Sequence, residues 1–365
     1  MASPPDPPPS LAPAAALFAR RAAQDGGDGG DGDGAVAVFQ TFRGIGDLLW
    51  ALTSLLALAE ATPEGRIHLL TRETTRARAL LAAEPRIAGI DYVPSFTGPA
   101  GHPREILATA RLLRRLRPRA LVILDKIPRA AIAARLAGVP QVTGLGFKGQ
   151  ARWLTLAPHL PPALAREQRI PMLRAFLPAL GVAYPEEEAR LRLPEGLAAA
   201  MAARFQACPR PWIALGLGAS SSDRHWPRAH WLALLAALAG RGGSRFLVGG
   251  AADRAFADGL AAECAAAGAI VAASPPPPMV NLCPWGMGDL AGLLAHMDAF
   301  VGTDSGPLNL ACALGVPSVG LFGVTPPFLH TRHARPALGA GMAEIAPAPV
   351  AALVADCLAA RRAAS

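Results

Sequence analysis

Val301-Gly302-Thr303-Asp304-Ser305-Gly306-Pro307-Leu308-Asn309-Leu310-Ala311-Cys312-Ala313-Leu314-Gly315-Val316-Pro317 is the stretch on which the fold turns. It has the form of a buried strand ending in a tight polar turn, a short helix begun at Pro307 or Leu308 and stopped at Gly315, and a second apolar strand through Val319 to Phe322. Such a turn presents backbone N–H groups that the helix cannot use. Asp304, Ser305 and Gly306 stand where a helix N-terminus can receive an anion, because the amides point outward and the macrodipole is positive there. Glycine at 306 would let a ligand approach the backbone with no side chain between. Asp304 and Ser305 equally suit plain helix capping. The stretch alone leaves both readings open.

The chain has 365 residues, which suits two α/β domains better than one, and its 52% hydrophobic content is ample for two cores. A net charge of +8 points to an acidic partner: phosphorylated glycolipid, anionic membrane surface or nucleotide. Aromatics at 5% and the lack of a compact Lys/Arg block argue against nucleic acid. The five cysteines, Cys208, Cys264, Cys283, Cys312 and Cys357, form no C-x-x-C pair and read as reduced core thiols of a cytoplasmic protein without structural zinc. No apolar run is long enough to span a bilayer. Leu11 to Ala19 lacks a basic leader and is broken by Pro13, so export is not expected.

Residues 1–34 join a Pro-rich opening to an Asp/Gly run from Asp25 to Gly34, which cannot bury a core and is expected to be disordered. An EF-hand reading fails for want of flanking helices and a closing Glu. Order is expected to begin with the strand Ala35 to Phe42, the turn Arg43-Gly44-Ile45-Gly46-Asp47 and a helix from about Leu48 to Ala61. That geometry puts polar groups at the carboxyl edge of a parallel sheet. Asp47 then reads either as an N-cap or as a carboxylate aimed at a ligand.

A strand is expected at Ile67–Thr71, a helix at 75–83, a strand at 91–93, a helix at 106–116 and a buried strand at 120–125. The arginines from Arg104 to Arg119, with Lys126, Arg129 and Arg135, read mainly as a solvated face, some of them free to meet an anionic acceptor. A turn and strand at 138–144 and a helix at 170–180 complete this half, which ends near Arg190.

The second half repeats the plan. Trp212 to Gly218 is a strand entering the loop Ala219-Ser220-Ser221-Ser222-Asp223-Arg224-His225-Trp226, and Pro227 opens a helix. Small donors and one fixed positive charge before a helix are what a diphosphate requires. Ser244 to Gly250 is another strand and glycine turn, with Asp253 on the following helix as a ribose acceptor or a cap. A rigid Pro275–Pro278 loop, a helix at 289–296 and a closing amphipathic helix at 349–362 follow. His330 and His333 have metal-ligand spacing but no third ligand nearby, so no metal is expected.

Two halves with glycine turns at strand ends suggest two facing Rossmann-like domains with parallel sheets and an interdomain cleft. The chain resembles glycosyltransferase family 9, the lipopolysaccharide heptosyltransferases and their relatives, of the GT-B fold. The resemblance rests on Asp304-Ser305-Gly306-Pro307-Leu308-Asn309-Leu310-Ala311-Cys312-Ala313-Leu314-Gly315-Val316-Pro317, on Leu321-Phe322-Gly323-Val324-Thr325-Pro326-Pro327, and on Gly46-Asp47 before the first helix.

It implies an acceptor-binding domain over 35–190, a nucleotide-sugar domain over 191–345 and a closing helix over 346–365. It further implies Asp47 as catalytic base, with Gly44, Gly46, Arg43 and Lys126 on the acceptor side. Donor binding would fall to Gly218, Ser220, Arg224, Asp253, Thr303, Asp304, Ser305, Gly306 and Asn309. Arg224 stands where the family has lysine, Asp253 where it has glutamate, and Asn309 where it has a histidine that could titrate.

The implied activity is inverting, metal-independent and cofactor-free transfer of a sugar, with ADP-heptose the first choice of donor, to an anionic glycolipid such as lipopolysaccharide inner core. The implied location is cytoplasmic, with peripheral contact at the inner membrane face admitted. Alternatives are another nucleotide sugar, a surface polysaccharide or protein acceptor, or a nucleotide-sugar-binding protein without turnover. A dinucleotide oxidoreductase is disfavoured, because Gly44-x-Gly46 lacks the full glycine fingerprint.

Overall fold

The computed structural model describes residues 34–42, 44–98, 100–157, 159–219, 221–270, 278–328 and 331–363. The expected N-terminal tail, Arg43, Ser220 and His330 lie outside the described residues, apart from Gly34 at the end of the tail. The chain divides into two compact units, one running through Arg78 and from Glu84–Ala189, the other holding Ala79–Ala83 and the chain from Arg190 onward.

The elements of the first half are β1 (Val36–Phe39), α1 (Ile45–Ala61), β2 (Ile67–Thr71), α2 (Ala77–Leu80), β3 (Ile87–Tyr92), α3 (Gly101–Leu116), β4 (Ala120–Ile123), α4 (Arg129–Ala137), β5 (Gln141–Gly144) and α5 (Arg169–Ala179). Its strands pair in parallel in the order β3-β2-β1-β4-β5. Continuous apolar strands such as Ala120–Ile123, buried on both faces, are what helix-covered parallel sheets require.

The second half holds α6 (Leu197–Arg204), β6 (Trp212–Gly216), α7 (Arg228–Ala239), β7 (Ser244–Val248), α8 (Arg254–Ile270), β8 (Met279–Asn281), α9 (Met287–Leu294), β9 (Ala299–Thr303), α10 (Gly306–Ala313), β10 (Ser318–Phe322), β11 (Ala334–Leu338) and α11 (Pro347–Ala363). Its sheet is parallel in the order β11-β10-β9-β6-β7-β8.

Several boundaries differ from the sequence reading. The first long helix starts at Ile45, so Asp47 lies inside its first turn, and Gly44 is the N-cap. The expected helix at 75–83 is broken by Arg76, whose φ of 54° is left-handed, leaving a 3₁₀ turn at Glu73–Thr75 and the short α2. Asp253 ends a 3₁₀ turn at Ala251–Asp253 instead of sitting on α8. Helices α4 and α6 and strand β11 were not expected. Pro336 sits mid-strand in β11, which among the described residues pairs only with β10. Gly339 N–H donates to Phe322 O at 3.2 Å, so by alternation the Pro336 nitrogen faces outward, where a missing donor costs nothing.

One charged side chain is built into the second unit's core. Arg245 on β7 is 1% exposed and has no carboxylate partner among the described residues. Its Nη2 donates at 2.8 Å to Leu238 O in the last turn of α7, where the helix dipole favours a cation. Burial still pulls its pKa down to about 10.

Candidate functional site

In an open parallel sheet the ligand crevice lies beyond the carboxyl ends of the strands, where the strand order reverses. In the second unit the reversal is at β6 and β9: the chain runs from β6 outward to β7 and β8, then crosses to β9 on the other side of β6. The loops after these two strands are tied together. Thr303 Oγ1 donates to Gly218 O at 2.9 Å, and Arg224 Nη1 pairs with Asp304 Oδ2 at 3.4 Å.

Asp253 closes the same edge from β7. Its Oδ2 accepts from Gly250 N–H at 2.7 Å, capping the 3₁₀ turn. The carboxylate lies so close to the backbone that a Cβ on Gly249 would stand 2.7 Å from that Oδ2, and one on Gly218 would stand 3.1 Å from Asp253 Cγ. Glycine at these positions therefore makes room for a specific carboxylate.

Ser305 is the N-cap of α10, yet its side chain makes no capping hydrogen bond. Its Oγ is buried with no partner among the described residues, as is the Nε of Arg224. Pro307 has no N–H, so the first-turn donors are Gly306 and Leu308. Asp304 turns to Arg224. The capping reading thus fails for both side chains, and what remains is a helix N-terminus with a hydroxyl and a guanidinium nitrogen left without acceptors. Asn309 is buried, and its Nδ2 donates to Ser305 O at 2.9 Å, which fixes the carboxamide on the helix's own first turn.

The first unit reverses between β1 and β4. There the loops are joined by Asp125, whose buried carboxylate accepts from Thr41 N–H at 3.2 and 3.3 Å and from Thr41 Oγ1. Burial raises its pKa, opposed by the Thr41 hydrogen bonds and by Arg169 and Arg72. Asp47 stands nearby in the chain on α1, partly exposed, with Oδ1 ion-paired to Arg169 Nη1. The Arg169 guanidinium also lies over the Phe42 ring. Lys126 Nζ donates to Ala165 O at 2.7 Å and Glu167 O at 3.0 Å, and burial leads the causes that lower its pKa. Deeper in the same edge, Glu105 joins Arg72 at 2.7 Å and Arg129 at 3.4 Å. A Cβ on Gly44 would meet Asp47 Oδ2 at an ordinary 3.6 Å, so crowding does not require that glycine.

Sequence reasoning missed Arg169, Thr41 and Asp125 as members of this edge. Asp125 could have been found, since it is an acidic residue ending a buried strand. Arg169 carries no such mark. Among the described residues no group of three or more His, Cys, Asp or Glu side chains is arranged to hold a metal ion. No described helix is long and apolar enough to cross a membrane.

A family model described as glycosyltransferase family 9 (heptosyltransferase) matches residues 109–340. The chain is 35% identical over 118 residues to lipopolysaccharide heptosyltransferase 1 of Pseudomonas aeruginosa, a match covering 32% of this chain and spanning 30% of that relative's length. Among solved structures, the E. coli ADP-heptose lps heptosyltransferase II is similar with a TM-score of 0.70 at 21% identity, over 90% of this chain and 99% of that one. E. coli heptosyltransferase WaaC with ADP-2-deoxy-2-fluoro heptose gives 0.66 at 19% identity, over 88% and 99%. At these identities the likeness establishes the fold, two Rossmann-like units of the GT-B class.

Proposed function

The chain belongs to glycosyltransferase family 9, and from that premise we propose that it transfers a sugar from a nucleotide diphosphate sugar, ADP-heptose foremost, to a hydroxyl of an anionic glycolipid such as lipopolysaccharide inner core, on the cytoplasmic side of the membrane. The carrying observation is the pair of buried donors with no acceptor among the described residues, Ser305 Oγ and Arg224 Nε, beside the first turn of α10. A diphosphate supplies the acceptors that these groups and the Gly306 and Leu308 amides lack.

In the reaction the acceptor oxygen attacks the anomeric carbon, the bond from that carbon to the diphosphate oxygen breaks, and configuration inverts. Asp47 takes the acceptor's proton. Arg169 holds its Oδ1, which leaves Oδ2 for that task. Negative charge building on the leaving diphosphate is met by Arg224, Ser305 and the helix N-terminus, so the reading calls for no metal. Asp253 would accept from the ribose through Oδ1, since Oδ2 is engaged by Gly250.

The test separates binding from capping. Ser305→Ala should leave stability within about 0.5 kcal/mol, since a working cap would cost about 1 kcal/mol. It should weaken ADP binding about tenfold or more, the value of a hydrogen bond to a charged group. Titration calorimetry with ADP, UDP, GDP and dTDP reads the affinity and names the nucleotide. An unchanged Kd for every nucleotide would sink the donor-site reading. Asp47→Asn should abolish turnover with ADP affinity retained; surviving turnover would remove Asp47 from the role of base.

A further inference from the structure

The exposed side of α3 is not used by either carboxyl edge. Arg104, Leu107, Arg111 and Arg114 follow one another at spacings of three, four and three residues, which puts them within one side of the helix. The opposite side carries Glu105, Thr109, Ala110 and Leu113 into the unit's interior. Leu107 is 51% exposed amid these arginines. Helix α4 extends the face: Arg114 Nη2 donates to Leu136 O at 2.6 Å, and Leu136 is itself 50% exposed.

Charge on this face is almost unbalanced. Glu105 is buried and paired on the far side of the helix, and Asp91 is taken by Arg115 and His68. Arg104, Arg111 and Arg135 have no carboxylate within ion-pair distance among the described residues. At the lower end, Arg114 and Arg117 line an open cavity of about 920 Å³ at the amino edge of the sheet, whose single carboxylate, Glu64, is paired with Arg119 at 3.0 Å. Arginines around isolated exposed leucines fit an interface that is anionic outside and apolar a few ångströms in. The apolar side chains exposed between these arginines, Leu107 and Leu136, are neither aromatic nor Met, the apolar types enriched at the core of a protein–protein interface.

We propose that the α3–α4 face is a docking surface for the anionic headgroup layer of a lipid bilayer, with the arginines on lipid phosphates and Leu107 and Leu136 entering the acyl boundary. The proposal does not depend on the identity of the transferred sugar, nor on transfer taking place.

The full chain is co-sedimented with vesicles of phosphatidylcholine and phosphatidylglycerol, and with vesicles of phosphatidylcholine alone. Binding is expected only to the anionic vesicles and should weaken as salt rises. Arg104→Gln/Arg111→Gln/Arg135→Gln should lower the partition coefficient about a hundredfold, roughly fivefold per arginine. Leu107→Gln should lower it severalfold with no change in salt dependence. A control of equal charge on exposed arginines of the second unit, Arg192→Gln/Arg241→Gln/Arg362→Gln, should bind like the wild type. Melting curves establish that each variant is folded, and wild-type salt dependence stands as the readout should the face variant not fold. Equal binding to both vesicle types, equal loss in the control, or salt-independent binding would each overturn the proposal. So would a concentration-dependent dimer that the face variant abolishes, which would assign the face to a second copy of the chain.

Discussion

Gly218→Ala tests whether the carboxyl edge of the second unit is built around Asp253. Gly218 has no positive φ, so alanine is conformationally acceptable there, and any cost must come from crowding. The new methyl would fall 3.1 Å from Asp253 Cγ and closer still to Oδ2. Relief requires the carboxylate to withdraw by roughly 1 Å, which breaks its 2.7 Å hydrogen bond with Gly250 N–H.

Overpacking of this kind costs about 1–3 kcal/mol, and loss of the capping bond alone, in Asp253→Ala, costs about 1 kcal/mol. With the carboxylate removed, the methyl at 218 has space. The double variant should therefore fall short of the summed single effects by about 1–2 kcal/mol. Urea unfolding followed by tryptophan fluorescence reports on this unit, because Trp212, Trp226, Trp231 and Trp285 are among the chain's 6 tryptophans. Additive single effects would show that Gly218 is glycine for some other reason and that Asp253 does not fill this edge.

Three further perturbations follow from the geometry. Asp125 has its folded-state pKa raised by burial, so it contributes stability below the ordinary aspartate value of about 3.9 and loses it as pH rises through the raised value. The stability of Asp125→Asn relative to wild type should accordingly climb with pH over that interval in urea titrations, and a decline would refute the sign. Arg169→Gln removes the partner that holds Asp47 Oδ1; it should destabilise by about 1–2 kcal/mol and lower kcat while leaving ADP affinity intact, with a changed Kd counting against the placement. Arg245→Met keeps most of the buried volume and sheds a costly charge, so it should lie within about 1 kcal/mol of wild type, whereas Arg245→Ala should cost about 2–4 kcal/mol by opening a cavity; equal losses measured by thermal unfolding would contradict this.

What was legible in the sequence was local. The run from Val301 to Phe322 could be parsed because an apolar strand, a polar turn and a glycine stop leave their period and punctuation in consecutive residues, and β9, α10 and β10 follow that parse. The loops holding Arg224 and Asp304 could be named for the same reason, and the structure brings those two side chains into contact. The ion pair of Asp47 with Arg169 joins positions 122 residues apart and leaves no local trace. Helix α4 was hidden because its arginines read as a charge run, although Ala130, Ala131, Ala133 and Ala134 are its buried side. Asp253 looked like a helix residue until Gly250 was seen to need its carboxylate. The role of Ser305 was undecidable from residue type, since a cap and an anion ligand use the same hydroxyl.

The proline in the outermost strand of the second unit bears on how this chain survives at high concentration. An open sheet ends in a row of unspent amides and carbonyls that any passing extended segment could zip onto. At Pro336 that row is interrupted, and Arg335 stands beside the gap. An intruding strand would forfeit a bond midway along its length, so growth from this rim into fibrous assemblies is discouraged by a single ring. Replacing it with valine would restore an unbroken template.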